Sequence, residues 1–286
     1  MCIHKGVFNI GTESKIASLD RSGHCPACGS TSLATAFTGD EWRRFAATTT
    51  DNRARFAAAM AADPDLAFNR FLRCQGCGTL FTDRVPSDAT LGQFYHQYCG
   101  NPGYLAKIPK KLRRENKRIV LFKRLVRERR FLDVGCNVGC AVEAARRNGF
   151  TATGLELSAE AIESARHHFP QNEFVVGTLE ALTPERRFDL VFCSEVLEHV
   201  PNVEPFVKQL ADKVAPGGVL FLTTPDSGHR QARRHAMRWD TLRPPEHLTL
   251  FTRDGVRAAL APYFRRVMIL PNQKPGIKAL AFKAKP

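Results

Sequence analysis

The sequence predicts an α/β protein, a mostly parallel sheet with helices against it and a smaller cysteine-bearing module ahead of it. Three observations carry that expectation. FLDVGCNVG (131–139) is an apolar run closing on an Asp and two glycines four apart, the pattern of a strand that breaks into a ligand-cradling turn. TATGLE (151–156) reads as the next strand and ends in a carboxylate 17 positions beyond Gly139. Upstream, Cys25-Pro-Ala-Cys28-Gly and Cys74-Gln-Gly-Cys77-Gly share the spacing of metal knuckles.

The first two features choose the ligand. A carboxylate at a strand's carboxyl end accepts both hydroxyls of a ribose. The turn has neither the G-x-G-x-x-G spacing for a pyrophosphate nor the Gly-Lys-Ser/Thr ending of a phosphate loop, so an adenosine derivative without a diphosphate is expected. Residues 188–193 and 219–223 read as the fourth and fifth strands. Gly217-Gly218 supplies the turn into the latter, and 264–270 and 276–283 complete the sheet.

The ordered motifs FLDVGCNVG, GLELS, FVVGTLEAL, FDLVFCSEVLEHV and VAPGGVLFLTTP resemble those of the class I S-adenosylmethionine-dependent methyltransferases, from about residue 131 to the carboxyl end. The catalytic part looks like that of the ubiquinone-biosynthesis O-methyltransferases. This resemblance implies a Rossmann-like, seven-stranded, mostly parallel sheet. It also implies a cofactor site, with Asp133, Gly135, Cys136 and Gly139 shaping the methionine pocket and Glu156 with Leu157 at the ribose. Thr178 and Leu179 would flank the adenine, and Cys193 and Ser194 would lie near the sulfonium.

A chain of 286 residues, 43% hydrophobic, can bury one large core and a smaller appendage. It has no run of 18 apolar residues, and Met-Cys-Ile-His-Lys-Gly lacks the apolar stretch of a secretory signal, so a cytoplasmic protein without a transmembrane segment is expected. Nine cysteines, an odd number with two metal-spaced pairs, fit a reducing compartment. Cys136 and Cys140 read as small packing residues rather than nucleophiles. Of the net charge of +14, most sits in 101–130, where 12 Lys and Arg face only Glu115 and Glu128. That stripe suits a polyanion or an anionic lipid surface. Leu112, Ile119, Phe122 and Val126 recur at helical spacing, however, which predicts a helix packed by one side on the main domain with its cations in water.

Four thiolates from Cys25, Cys28, Cys74 and Cys77 make a closed tetrahedral zinc site, structural because no coordination position stays open. The 45 residues between the pairs include an Ala-rich stretch, 42–62, that reads as a helical insert stopped by Asp63-Pro64.

After the fourth strand a short helical turn would place Glu195, Glu198 and His199 on one face through i, i+3 and i+4 spacing. His247, in Pro244-Pro-Glu-His-Leu, follows the fifth strand and can converge on them. These four are candidates for a second divalent metal, Mg²⁺, Mn²⁺ or Zn²⁺, or for acid–base roles with His247 the preferred base and His199 the second. The E-x-x-E-H phrase with a distant His resembles metal-dependent O-methyltransferases of ubiquinone precursors and of terminal 2′-hydroxyls of small RNAs. The 224–250 segment carries Arg230, Arg233, Arg234, Arg238, Trp239 and Arg243 and reads as an acceptor lid, Trp239 also suiting a membrane surface. Tyr95, Tyr98 and Tyr104 are placed to close the pocket from the other side.

The expected organisation is a flexible tail at 1–20, a zinc-ribbon module with its insert at 21–85, a helical cap at 86–129 and the S-adenosylmethionine-binding domain at 130–286. The function expected is methyl transfer to an oxygen, before nitrogen or carbon, of a small anionic metabolite such as a natural-product or sugar intermediate. An RNA methyltransferase is the first alternative, and a non-catalytic zinc-dependent scaffold the second. Oligomeric state is not legible.

Overall fold

A computed structural model describes residues 18–87, 89–92, 105–234 and 236–285. Most of the expected tail, and Tyr95, Tyr98 and Tyr104, lie outside the described residues. The N-terminal module contains β1 (Leu19–Asp20), β2 (Leu33–Thr38), α1 (Gly39–Ala47), α2 (Asn52–Ala62), β3 (Arg70–Cys74), β4 (Leu80–Thr82) and β5 (Arg84–Val85). β1 pairs with β5, so pairing begins inside the segment expected as a tail. The Ala-rich insert is two helices rather than one. Thr38 and Glu41 form a capping box that opens α1, while Asp51 accepts from the Arg53 amide and opens α2, so the Thr48-Thr-Thr-Asp run becomes a corner.

α3 (Ile108–Phe122) leads into the main domain: β6 (Arg130–Val134), α4 (Cys140–Arg147), β7 (Thr151–Glu156), α5 (Ala159–His168), β8 (Glu173–Val176), β9 (Phe188–Ser194), α6 (Val203–Lys213) and β10 (Val214–Pro225). Then come α7 (Arg230–Arg234), β11 (Thr249–Leu250), α8 (Arg253–Leu260), β12 (Arg266–Ile269) and β13 (Gly276–Phe282). The large sheet runs β12-β13-β10-β9-β6-β7-β8, with β13 antiparallel to both neighbours and the other pairs parallel. This is the Rossmann-like, seven-stranded, mostly parallel sheet expected. β6 lies between β7 and β9, so the chain reverses direction across the sheet there, and a crevice opens at the strands' carboxyl ends.

Alternation along the strands divides the core. Phe131, Phe192 and Phe221 pack beneath α3, whose Ile119 and Phe122 join them. Leu132, Val191, Leu220 and Leu222 face the opposite side with Val207, Leu210, Val256 and Leu260. Cys25, Leu72, Cys74 and Phe81 of the module belong to that same second core. β11 pairs with β4, so a strand from the segment after β10 completes the module's four-stranded sheet, β11-β4-β3-β2. Among the described residues no helix is long and apolar enough to cross a membrane.

Candidate active site

The glycine turn follows β6 directly. Gly135, Asn137 and Gly139 take φ of +75°, +49° and +78°. The amides of Gly135 and Cys136 both donate to the Leu155 carbonyl, at 2.8 and 3.0 Å, closing the turn against β7. A Cβ on Gly135 would stand 2.5 Å from Val196 Cγ2, and one on Gly139 2.6 Å from the Phe174 ring, so close packing as well as backbone conformation requires glycine. Glu156 accepts from the amides of Asn137 (3.0 Å) and Leu157 (2.8 Å), which orients its carboxylate at the end of β7. Burial raises the carboxyl of Asp133 well above its ordinary range, and the Glu115 and Glu156 charges add to this while Arg118 opposes. Burial also pushes the Cys136 and Cys193 thiols well up and that of Cys140 to about 11, so these are unionised packing groups. Thr178 is exposed, whereas Leu179 is buried in the core.

The ends of β9 and β10 hold the rest of the site. Ser194 and Thr223 are register partners whose hydroxyls lie 2.7 Å apart. Thr223 Oγ1 donates to Glu195 Oε1 at 2.7 Å, and Thr224 Oγ1 donates to Glu198 Oε2 at 2.9 Å. Neighbouring strand residues point to opposite faces, so the two threonines draw the two glutamates apart. Glu195 has φ +57°, and only Leu197–His199 form a 3-10 turn. The expected shared face of Glu195, Glu198 and His199 therefore does not form, because the chain enters the turn through a left-handed residue. Glu195 instead lines a cavity of about 300 Å³ with Ser194 and Thr223.

Glu198, His199 and His247 do converge, each offering a ligand atom within 4.8 Å of the others. His199 Nδ1 bonds the Glu246 carbonyl at 2.7 Å, and His247 Nδ1 bonds the Thr241 carbonyl at 2.6 Å. Each carbonyl needs an N–H, so both rings carry their proton on Nδ1 and keep an Nε2 lone pair, the tautomer a metal-binding imidazole uses. The rings meet edge to face with centroids 4.8 Å apart, and His199 Nε2 lies 3.8 Å from Glu198 Oε1. Burial lowers His199 to about 4 and His247 well below its usual value. The buried Glu198 carboxyl is raised by desolvation and then by the Glu195 charge.

In the module, the Gly29 amide donates to the Cys25 carbonyl and the Gly78 amide to the Cys74 carbonyl, each at 2.9 Å, with both glycines at positive φ. The two C-x-x-C-G segments are thus the same turn twice. They bring four sulfurs within 4.8 Å of one another, Cys25 to Cys77 at 3.7 Å and Cys28 to Cys74 at 3.5 Å. A tetrahedron of zinc–sulfur bonds has edges of about 3.8 Å, which these separations fit.

The expected lid is built otherwise. Ala232, Trp239, Leu242 and Leu250 pack in one cluster with Trp42, Phe56 and Phe71, and Trp239 is 6% exposed. Burial against the module accounts for this tryptophan, which is unavailable to a membrane surface. Arg243 pairs with Glu246 at 3.4 Å and Arg253 with Asp226 at 3.1 Å. The threonines that orient the glutamates escape a motif-based reading. Their one sequence signal is the polar Thr223-Thr224 pair closing an apolar strand.

A family model described as "Methyltransferase domain" matches residues 104–263. A ubiquinone biosynthesis O-methyltransferase of Coxiella burnetii is 38% identical over 98 residues, covering 32% of this chain and 42% of that protein. The namesake from Shewanella pealeana is 39% identical over 99 residues, with coverages of 32% and 42%. The matched region thus spans about two-fifths of the length of these relatives. The PH0226 protein of Pyrococcus horikoshii superposes with a TM-score of 0.49 at 18% identity, over 66% of this chain and 94% of that one. Since the family model covers more than half of the sequence, including the glycine turn, both glutamates and both histidines, the chain belongs to the methyltransferase-domain family.

Proposed function

We propose that this protein moves a methyl group from S-adenosylmethionine to an oxygen of a small acceptor, and that Glu198, His199 and His247 hold a divalent metal beside the reacting atoms. The observation that carries the metal reading is the pair of buried imidazoles, each with Nδ1 bonded to a backbone carbonyl, whose ligand atoms lie within 4.8 Å of one another and of Glu198. When bound, the cation would lower the pKa of an acceptor hydroxyl. A histidine held near 4 is a weak base at neutral pH, which favours the ligand role over the general-base role for His199, and for His247 by the same argument.

The chain's own residues do the remainder. Asp133 receives the cofactor's ammonium, Glu156 its ribose hydroxyls, and Thr178 with Leu179 edge the adenine. The sulfonium methyl is already activated, so catalysis is a matter of placing the acceptor oxygen in line. The oxygen lone pair forms the new C–O bond as the C–S bond breaks toward sulfur. Glu195, on the cavity wall, takes the hydroxyl proton. Cys25, Cys28, Cys74 and Cys77 hold a structural zinc, for which the four-sulfur separations are the support.

Elemental analysis with calorimetric titration of S-adenosylmethionine, with and without added Mg²⁺, Mn²⁺ or Zn²⁺, tests these readings. One zinc per chain plus a second cation lost in His247→Ala is the expected result. Absence of a second cation at any concentration would return His247 to the role of base. Absence of cofactor binding would overturn the methyltransferase reading. Tight, steeply salt-dependent RNA binding would move the acceptor to RNA.

A further inference from the structure

The cavity beside Glu195 is lined by Arg114, Arg118 and Lys278 as well as by Ser194, Glu195 and Thr223. Thr223 is the register partner of Ser194 on β9 and of Lys278 on β13, so Ser194, Thr223 and Lys278 form one row across three adjacent strands. Directly paired residues share a face. That face is the one α3 covers, because Phe221, two residues before Thr223, packs beneath α3. Arg114 and Arg118 reach the same cavity from α3.

Among the described residues both arginines share one counter-ion, Glu115. Arg114 Nε donates to Glu115 Oε1 at 2.7 Å, and Arg118 Nη1 donates to both Glu115 oxygens at 3.2 and 3.1 Å. Arg118 also lies over the Phe221 ring, 5.4 Å from its centroid. The Arg118 head is thereby held between a buried carboxylate and an aromatic face, and among the described residues Arg118 Nη2 and both Arg114 Nη groups carry no hydrogen bond. One carboxylate cannot neutralise two guanidinium groups. Lys278 adds a third cation, against Glu195 as the cavity's carboxylate. The cations stand on α3 and at the β13 end of the row, and the carboxylate at the β9 end.

We propose that Arg114, Arg118 and Lys278 bind an oxyanion of the methyl acceptor, a carboxylate or phosphate, so that its hydroxyl is held at the Ser194–Glu195 end of the cavity. This rests on the reading of the chain as a methyltransferase whose acceptor enters at the carboxyl edge of the sheet. A planar guanidinium pair suits a bidentate oxyanion, and a neutral acceptor of the same shape would leave the three cations facing only Glu115 and Glu195. The cations of the 101–130 stripe thus divide, Arg114 and Arg118 serving a pocket.

The test is direct binding to the full-length protein by ligand-observed NMR, using benzoate, phenyl phosphate and neutral phenol as probes, with S-adenosylmethionine calorimetry on each sample. Either anion is expected to bind at least about five-fold tighter than phenol, the preferred one identifying the headgroup. Lys278→Met and Arg118→Gln should each remove most of that preference, Lys278→Met with cofactor affinity unchanged. Lys278 sits in a half-buried strand position outside the Glu115 pair, so its variant keeps the test valid if Arg118→Gln is poorly folded. Equal binding of anions and phenol, no binding of any probe, or an unaltered preference in Lys278→Met overturns the proposal. Loss of cofactor binding in the unaltered protein instead overturns the methyltransferase reading.

Discussion

Arg21 and Leu248 stand 227 positions apart, yet Arg21 Nη2 donates to the Leu248 carbonyl at 2.7 Å. The same guanidinium reaches the Thr82 carbonyl and hydroxyl and the Thr249 hydroxyl, and the residue is buried. The Leu248 amide in turn donates to the Glu198 carbonyl at 2.8 Å. One buried cation thus ties the module to the segment that carries His247 and, through it, to the turn that carries Glu198 and His199. Arg21→Met should destabilise the protein by about 3 kcal/mol, because buried acceptors lose a charged donor. Denaturant unfolding measures this, and a change below about 0.5 kcal/mol would contradict the tie.

Zinc removal should be felt at His247. Thr252 Oγ1 donates to the Cys77 carbonyl, and β11, between His247 and Thr252, is paired with β4. Cys74→Ser, or a strong chelator, should therefore increase hydrogen exchange across 247–252 as well as across both cysteine turns. Exchange confined to the cysteine turns would show that the module and the site are uncoupled.

Gly135→Ala has two consequences. The new methyl meets Val196 Cγ2 at 2.5 Å in a backbone conformation that L residues rarely take, so a loss of about 1–3 kcal/mol in stability is expected. Val196 lies between Glu195 and the Leu197–His199 turn, so binding of the second cation should weaken together with cofactor binding. Calorimetry with each ligand checks this, and an unchanged cation affinity would limit the defect to the turn.

Acid stability should depend on Glu143, on α4 behind the glycine turn. Burial would raise its carboxyl, but hydrogen bonds from Arg146, Asn172 and Arg147 overcome that and hold it at about 2. The folded pKa lies below the unfolded value, so the stabilisation is complete above about 4.5 and is lost as pH falls through about 2. The partners are substantially exposed, and screening reduces the effect to about 1 kcal/mol. Glu143→Gln should flatten the acid limb of a stability profile over that window; an identical limb would assign it to other carboxylates.

What the sequence by itself determined was local and periodic. The apolar runs ending in Asp133 and Glu156, the paired glycines, the repeated cysteine turns and the helical spacing of Leu112, Ile119 and Phe122 each follow from a few consecutive residues, and the structure forms the strands, turns and inward helix face they predict, the helix ending at Phe122 before the extended Val126. The length of the 224–250 segment and its arginines suggest an acceptor lid. Tertiary structure buries its apolar residues, which complete a core that the small module cannot close alone, and leaves Arg230, Arg233, Arg234 and Arg238 exposed. Glu195 and Glu198 are three apart and look co-facial, but Thr223 and Thr224, nearly thirty residues later, each hold one of them, so the two carboxylates part. The cavity beside Glu195 is likewise invisible in one dimension, because Arg118, Ser194, Thr223 and Lys278 meet only through strand register and helix packing. Periodicity records which face of its own element a side chain takes, and register between distant elements decides which other side chains it meets there.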